Sequence, residues 1–369
     1  MIDLLPHIEA WLAAGEEVAV ATVIQVVGSA PRPVGARMIV SSTGRMAGSV
    51  SGGCVETTVY EEMMDVLEGK PARKLHFGIT EDMIWDVGLA CGGTIDVLVQ
   101  KLDPALFYAL AELASREEPV ALVTLVSGSL GSEDWEIGDS TLIGPDGIVS
   151  RPVASCKTEY DSEITARAQQ MLAARAETGT LHEVAPGVEV FIEPYLPPPV
   201  LLIVGGVHIA IPLTHFAKEL GFRVIVVDPR EKFANRERFP GADEVLLQWP
   251  DEAFEHLTVN DGTYVVLLTH DPKIDEPTLA AALETNAAYI GAIGSRATHA
   301  ARFERMARWG VTHEQLQRVY APVGLDLGGH TPAETALSIM AEVVSVKNGR
   351  QQSSRRVRSL RDTGKGIEK

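Results

Sequence analysis

Apolar positions along this chain follow two regimes. At the start, Leu4, Leu5, Ile8, Trp11 and Leu12 recur at helical spacing and predict a short amphipathic helix over 3–14. A β-rich run over Glu17–Val27 follows, broken by Gly28-Ser29-Ala30-Pro31-Arg32-Pro33. Arg37–Ser41 reads as a second strand turned by Ser42-Thr43-Gly44, and Val55–Leu67 as a helix. Strands are predicted at Arg73–Phe77 and Thr94–Val99, a helix at Pro104–Ser115, and strands at Val120–Val126 and from Thr141 into a turn at Gly147. Asp161–Ala176 reads as a helix, and Thr180–Val184 with Val188–Ile192 as a hairpin around Pro186-Gly187. No internal repeat stands out.

The second regime begins after Pro197-Pro198-Pro199, a stiff run that cannot continue a helix. Continuous apolar strands at Val200–Val204, Val224–Val227, Glu244–Leu247, Tyr264–Leu268 and Ala288–Ile290 then alternate with helical segments such as Ile209–Leu220. Fully apolar strands with helical crossovers indicate a doubly wound parallel sheet. The expected class is therefore α/β. A mixed α+β domain covers 1–196, a Rossmann-like domain 200–347, and a basic tail, read as flexible and solvated, 348–369. Thr331, Pro332 and Glu334 spell an N-cap, an N1 proline and the N3 acid of a capping box.

Composition narrows the function classes. With 46% hydrophobic and 22% charged residues among 369, the chain is that of a globular protein with an ample core. No apolar run approaches the roughly 20 residues of a membrane span, and Met1-Ile2-Asp3-Leu4 lacks the features of a signal peptide, so a cytoplasmic location is expected. Net charge is −18; the segment from Lys347 to Lys369 carries eight Lys/Arg against Asp362 and Glu368, leaving −24 for the rest. Such a body repels nucleic acid. Three cysteines make no disulfide framework, and a chain with two [2Fe–2S] clusters needs about eight cysteine ligands, so a complete iron–sulfur molybdenum hydroxylase is excluded.

Two of those cysteines sit in mirrored glycine settings: Gly48-Ser49-Val50-Ser51-Gly52-Gly53-Cys54 and Gly88-Leu89-Ala90-Cys91-Gly92-Gly93. Glycine permits close backbone approach and positive φ, and a thiolate is both a nucleophile and a soft metal ligand. Cys54 lies at the start of a predicted helix, whose dipole favours a thiolate. Gly52 and Gly53 can offer amides to an anion, Ser49 and Ser51 add hydroxyls, and Arg32, Arg37 and Arg45 are near enough in sequence to pair with phosphate. The alternative is that both thiols are small buried hydrophobes. Cys156 has no comparable setting. No Cys-x-x-Cys or His-x-x-x-His zinc pattern and no Gly-x-Ser-x-Gly hydrolase elbow is present.

In the second half, Gly205-Gly206-Val207-His208-Ile209-Ala210 occupies a strand-to-helix turn, where a dinucleotide fold wants Gly-x-Gly-x-x-Gly/Ala. Gly205 and Ala210 fit, Val207 replaces the middle glycine, and Asp228 ends the next strand as a candidate ribose ligand. The turn is compatible with NAD(P) or another nucleotide, or with a scaffold that has lost its cofactor. Thr269-His270-Asp271 and Gly294-Ser295-Arg296 follow later strands, on the rim where ligands of parallel sheets bind. The latter precedes a helix, a ready anion site.

Together these motifs resemble the XdhC/CoxI-type accessory proteins of molybdenum hydroxylases. The resemblance covers most of the chain. It rests on Gly35-Ala36-Arg37-Met38, Gly48 to Glu56, Cys91-Gly92-Gly93, Phe233–Pro240, Thr269-His270, Asp275, Tyr289-Ile290-Gly291, Gly294-Ser295-Arg296 and Pro322–Thr331. The family's turn pattern Gly-Ala-Gly-His appears here as Gly205-Gly206-Val207-His208, with Pro212 entering the helix start. The resemblance implies an XdhC domain followed by a Rossmann domain. It also implies binding of molybdenum cofactor (molybdopterin), support for its sulfuration, and delivery to a xanthine dehydrogenase or related apoenzyme.

On that reading Cys54 and Cys91 face one pocket between the domains and handle sulfur or molybdenum. Ser51, Gly52, Gly53, Gly92, Gly93, Gly205, Gly206, His208, Asp228, Thr269, His270, Gly294, Ser295 and Arg296 line the cofactor. Expected partners are the molybdenum hydroxylase apoenzyme, a cysteine desulfurase and a second copy in a homodimer, with no nucleic acid and no membrane span. An NAD(P)-dependent oxidoreductase and a non-catalytic interaction module stand as alternatives, and a cofactor chaperone is favoured over a turnover enzyme.

Overall fold

A computed structural model describes residues 4–78, 93–130, 135–150 and 158–350. The chain divides into two compact units, Met1–Pro197 and Pro198–Lys369. In the first, the order is α1 (Leu5–Ala13), β1 (Val18–Val27), β2 (Arg37–Ser41), β3 (Met46–Gly48), α2 (Glu56–Leu67), β4 (Arg73–Phe77), β5 (Thr94–Lys101), α3 (Pro104–Ser115), β6 (Val120–Ser127), β7 (Ser140–Gly144), β8 (Gly147–Ser150), α4 (Asp161–Ala173), β9 (Thr180–Ala185) and β10 (Val188–Tyr195). The described strands form two antiparallel sheets, β3-β2-β1-β5-β4 and β8-β7-β6-β10-β9.

The alternation of the strands explains the layers. Along β1, Ala19, Ala21 and Val23 point outward and pack under Val59, Met63 and Val66 of α2. Along β6, Ala121, Val123 and Leu125 pack under Ile164, Ala168 and Leu172 of α4. The inner faces of the two sheets meet at Ile24, Leu98, Val126 and Phe191. Because both faces of β1 and β6 are covered, these strands read as continuous apolar runs despite being antiparallel.

The two sheets are the same motif twice, a repeat that sequence inspection missed. Each runs helix, three-stranded meander, helix, hairpin, in the same spatial order. The Val23 amide donates to the Ala36 carbonyl (2.9 Å) and the Gly35 amide to the Val23 carbonyl (2.8 Å); Leu125 and Asp139, then Gly138 and Leu125, repeat both bonds at 2.9 and 2.8 Å. What survives in sequence is Val18-Ala19-Val20-Ala21-Thr22-Val23 against Val120-Ala121-Leu122-Val123-Thr124-Leu125. Three identities in aliphatic strands are too common to signal a duplication without the pairing.

Equivalent residues from the two copies, Thr22 with Thr124 and Arg37 with Ser140, line a cavity of about 110 Å³ between the sheets. At its edge the copies diverge. Arg37 of β2 forms a bidentate ion pair with Glu193 of β10, with Nη1 2.8 Å from Oε1 and Nη2 on Oε2, and Tyr195 donates to Glu193 at 2.6 Å. Burial works against charge on Arg37, but the attraction and hydrogen bonds of Glu193 outweigh it and raise the guanidinium's pKa. The same balance holds Glu193 ionised, below the usual carboxylate range.

The second unit contains β11 (Val200–Val204), α5 (Ala210–Glu219), β12 (Arg223–Val227), β13 (Glu244–Leu246), α6 (Pro250–His256), β14 (Thr263–Leu267), α7 (Pro272–Leu283), β15 (Tyr289–Ala292), α8 (Arg296–Met306), α9 (His313–Leu316), β16 (Val319–Tyr320) and α10 (Pro332–Lys347). All six strands are parallel in the order β13-β12-β11-β14-β15-β16, the doubly wound order of dinucleotide-binding folds. Leu201 and Ile203 face the core shared with α5 and α10, while Leu202 and Val204 face α7 and Met306 of α8. The Thr331–Glu334 capping box starts α10 as its sequence indicates. Among the described residues no helix is long and apolar enough to cross a membrane.

Candidate functional site

Cys54 is exposed at the end of the loop joining β3 to α2. Gly52 and Gly53 take φ of +76° and +118°, a left-handed course that L side chains rarely follow. This course turns their amides inward, onto the carboxylate of Glu56 in the first turn of α2. Glu56 accepts from the hydroxyl of Ser49 (2.7 Å), the amide of Ser51 (2.9 Å) and its hydroxyl, and the amides of Gly52 (2.9 Å), Gly53 (2.8 Å) and Val55 (3.2 Å). Ser51 in turn accepts from the amides of Cys54 and Val55, both at 3.0 Å. Partial burial pushes the Glu56 carboxyl up, and the Ser51, Ser49 and Gly53 donors overcome it, bringing the pKa down to about 2.

The amides read from sequence as a phosphate cradle are therefore held by an internal carboxylate. What the loop offers a ligand is the thiol. Nor do Arg37 and Arg45 serve as phosphate ligands here. Arg37 is buried on Glu193, and Arg45 pairs with Glu16 and lies over the Trp11 ring at 5.3 Å. These partners lie far away in sequence, so proximity to Cys54 along the chain misled. Arg32 does reach the loop, donating from Nε to the Ser49 carbonyl at 3.4 Å.

Cys91 and Gly92 lie outside the described residues. Gly93 is placed at the start of β5, where a Cβ would stand 2.2 Å from the Ser29 carbonyl oxygen. Two residues on, Pro31 packs 3.8 Å from the corresponding point on Gly52. The turn Ser29–Arg32 thus touches the Cys54 loop on one side and the residue following Cys91-Gly92 on the other.

The remaining candidates gather at the carboxyl ends of the parallel strands. Gly205 (φ +103°) leaves 2.4 Å between a would-be Cβ and Thr269 Cγ2. The Thr269 hydroxyl donates to Asp275, whose other oxygen takes Arg302 Nη2 at 2.6 Å, and Arg302 Nη1 lies 3.2 Å from His299 Nδ1. The chain of contacts ends beneath Gly294. His208 and His270 are exposed on this rim, as are Ser295 and Arg296, and the Ser295 hydroxyl caps α8. Asp275 and Arg302 are both 2% exposed in their side chains. Sequence reading missed His299 and Arg302, which look like surface residues of a helix until the buried acid is placed beside them. Among the described residues no three His, Cys, Asp or Glu side chains converge as a metal site.

Comparison with known proteins identifies the family of the chain. The XdhC Rossmann domain model matches residues 201–343, and the XdhC and CoxI family model matches residues 11–78. The chain belongs to the XdhC and CoxI family. Among curated relatives of this member, a Bacillus subtilis protein named as a probable xanthine dehydrogenase subunit is 25% identical over 92% of this chain and 96% of its own length. The molybdenum cofactor insertion chaperone PaoD of Escherichia coli is 28% identical over 93% of this chain and 87% of its own. A crystal structure titled a xanthine dehydrogenase, from Bacillus halodurans, superposes with a TM-score of 0.67 at 25% identity, covering 94% of this chain and 96% of the other.

This XdhC Rossmann domain has an unusual first turn. The Gly206 amide donates to Asp228 Oδ2 at 2.8 Å, and Arg238 Nη2 donates to the Gly206 carbonyl at 3.0 Å. Asp228 is fully buried and also takes the Arg230 amide, Nε and Nη2 at 3.0, 2.8 and 2.7 Å. The Arg230 guanidinium lies 4.1 Å from the Phe233 ring centre. The acid that reads ribose in NAD-binding relatives of the fold is thus spent on the protein itself.

Proposed function

We propose that this protein is an accessory factor that takes molybdenum cofactor as cargo, supports its sulfuration and inserts it into a xanthine dehydrogenase or related molybdenum hydroxylase. One observation carries the reading. Cys54 stands exposed on a loop whose backbone is fixed from both sides, by Glu56 and by Ser51, in a chain that aligns over 93% of its length with a protein named a molybdenum cofactor insertion chaperone. A thiolate is the soft donor that molybdenum accepts, and it is also the group that carries a persulfide sulfur.

The fixed loop presents that sulfur without consuming it, as a carrier requires. Cys91 takes the second sulfur position in this proposal, supported by the Ser29–Arg32 turn between Gly52 and Gly93. Ser51, Gly52 and Gly53 serve by shaping the loop. The rim residues Gly205, Thr269, His270, Gly294, Ser295 and Arg296 belong to the same proposal as cofactor-binding residues of the second unit. A cysteine desulfurase as sulfur donor, a homodimer and a cytoplasmic setting belong to the same proposal. Nicotinamide chemistry has weaker support, because Asp228 is saturated by Gly206 and Arg230.

The test is mass spectrometry of the full chain purified anaerobically from cells that make the cofactor. Molybdopterin in near-stoichiometric amount is expected. Nicotinamide nucleotide in its place overturns the reading, and so does protein that stays free of pterin when mixed with the isolated cofactor.

A further inference from the structure

Thr22 is 7% exposed, and its place in β1 turns it away from α2. Ala21 and Val23 on either side pack under that helix, so strand alternation sends the Thr22 side chain to the opposite face, into the space between the two sheets. Its duplicated counterpart, Thr124, lines the same space. Each threonine stands opposite an equivalent residue of the next strand, Thr22 opposite Arg37 and Thr124 opposite Ser140. The two copies settle their hydroxyls differently. Thr124 and Ser140 bond each other at 2.8 Å. Arg37 instead commits its Nη atoms to Glu193 and the Gly35 carbonyl. The Thr22 hydroxyl has no partner among the described residues. It is not sealed off as Arg37 Nε is, and it opens onto the cavity. A buried hydroxyl left unpaired costs stability unless something in the cavity bonds it.

Size and walls narrow what can fill that space. A volume of about 110 Å³ is several times the roughly 10–15 Å³ that one water needs, and somewhat below the roughly 150 Å³ of an apolar cavity that takes benzene. Leu106, Phe107 and Leu110 of α3, with Leu122 and Phe191, supply apolar walls. The charged groups of the lining are engaged: Arg37 on Glu193, Lys101 on Glu17, Asp103 on the Ala105 amide and Asp139 on the Glu136 amide. Lys101 is exposed, so the cavity reaches solvent beside it. A charged ligand finds no free counter-charge there, and a purely apolar one leaves Thr22 unpaired.

We propose that the cavity between the two sheets of the first unit binds an uncharged single-ring compound carrying one hydroxyl or N–H, with the Thr22 hydroxyl as its polar anchor. The site lies wholly within the first unit and rests on neither Cys54 nor the cofactor reading.

Phenol is the probe and benzene the control, each titrated into the full chain by calorimetry. Phenol should bind saturably at one site. Thr22→Val keeps the shape and removes the hydroxyl, so phenol affinity should fall about fivefold or more, the worth of one hydrogen bond, while benzene affinity stays within about twofold. Leu122→Phe fills the space and should abolish binding of both. In wild type carrying ¹³C-methyl leucine, phenol protons should show nuclear Overhauser contacts to Leu106, Leu110 or Leu122, which locates the ligand even where the filled variant does not fold. No saturable phenol binding, which would leave a merely hydrated cavity, overturns the site. So do contacts confined to leucines outside the lining, or equal phenol affinity in wild type and Thr22→Val.

Discussion

Replacing Glu56 by Gln tests whether the Cys54 loop is ordered by an internal carboxylate. The side chain keeps its length but loses its charge and half of its acceptor capacity, facing six donors from five residues. A carboxyl lowered from 4.5 to about 2 is favoured in its ionised form by about 3 kcal/mol, at 1.36 kcal/mol per pH unit. Because Glu56 is only partly buried, solvent screening reduces that to about 1–2 kcal/mol.

Hydrogen exchange of the peptide covering residues 49–56 reads this locally. Glu56→Gln should speed exchange of the Gly52 and Gly53 amides about 5- to 30-fold at neutral pH, leaving β1 and β5 unchanged. The sign with pH follows from a lowered native pKa. The stabilisation is complete above the unfolded value of 4.5 and fades as pH falls toward about 2, so the wild-type loop should lose protection only across that acid window. Equal exchange rates in wild type and Glu56→Gln would refute the reasoning.

Arg37→Met strands Glu193 in the interior and should destabilise the N-terminal unit by about 3–5 kcal/mol; the double variant Arg37→Met/Glu193→Leu should recover most of that loss, measured by urea unfolding. Gly206→Ala places a Cβ 2.3 Å from the Phe233 carbonyl oxygen, which is backbone and cannot step aside, so a cost of about 2–3 kcal/mol is expected. Gly241→Ala meets nothing within 4 Å and should melt within about 1 °C of wild type by calorimetry.

Long apolar runs carried most of the fold. Leu201–Val204, Val224–Val227 and Val265–Leu267 are buried on both faces of the parallel sheet, and a strand of that kind is visible wherever it occurs. Short edge strands were not. Met46–Gly48 and Gly147–Ser150 are mostly exposed, and two-residue Val319–Tyr320 is too short to show a period; pairing makes all three. Pro277 lies inside α7, against the local rule, because the helix is held by Ile274, Leu279 and Leu283 in the core.

The candidate site was legible as residue types and not as roles. The glycines and serines around Cys54 do surround a carboxylate, but that carboxylate belongs to Glu56, a few residues downstream, where it reads as an ordinary first-turn acid. Arg37 reads as a phosphate ligand until Glu193, 156 residues away, is placed against it. Such pairings are products of topology, and no local pattern encodes them.

The central claim is that Cys54 is the sulfur through which the cargo is held. Its most direct test is the dissociation constant of molybdopterin for the anaerobic full chain, wild type against Cys54→Ser. The exposed thiol can be exchanged for a hydroxyl without disturbing the loop, because its backbone bonds run to Ser51 and through Glu56. At least tenfold weaker binding by Cys54→Ser, with unchanged unfolding, is the predicted result. Equal affinity of the two proteins would contradict the account.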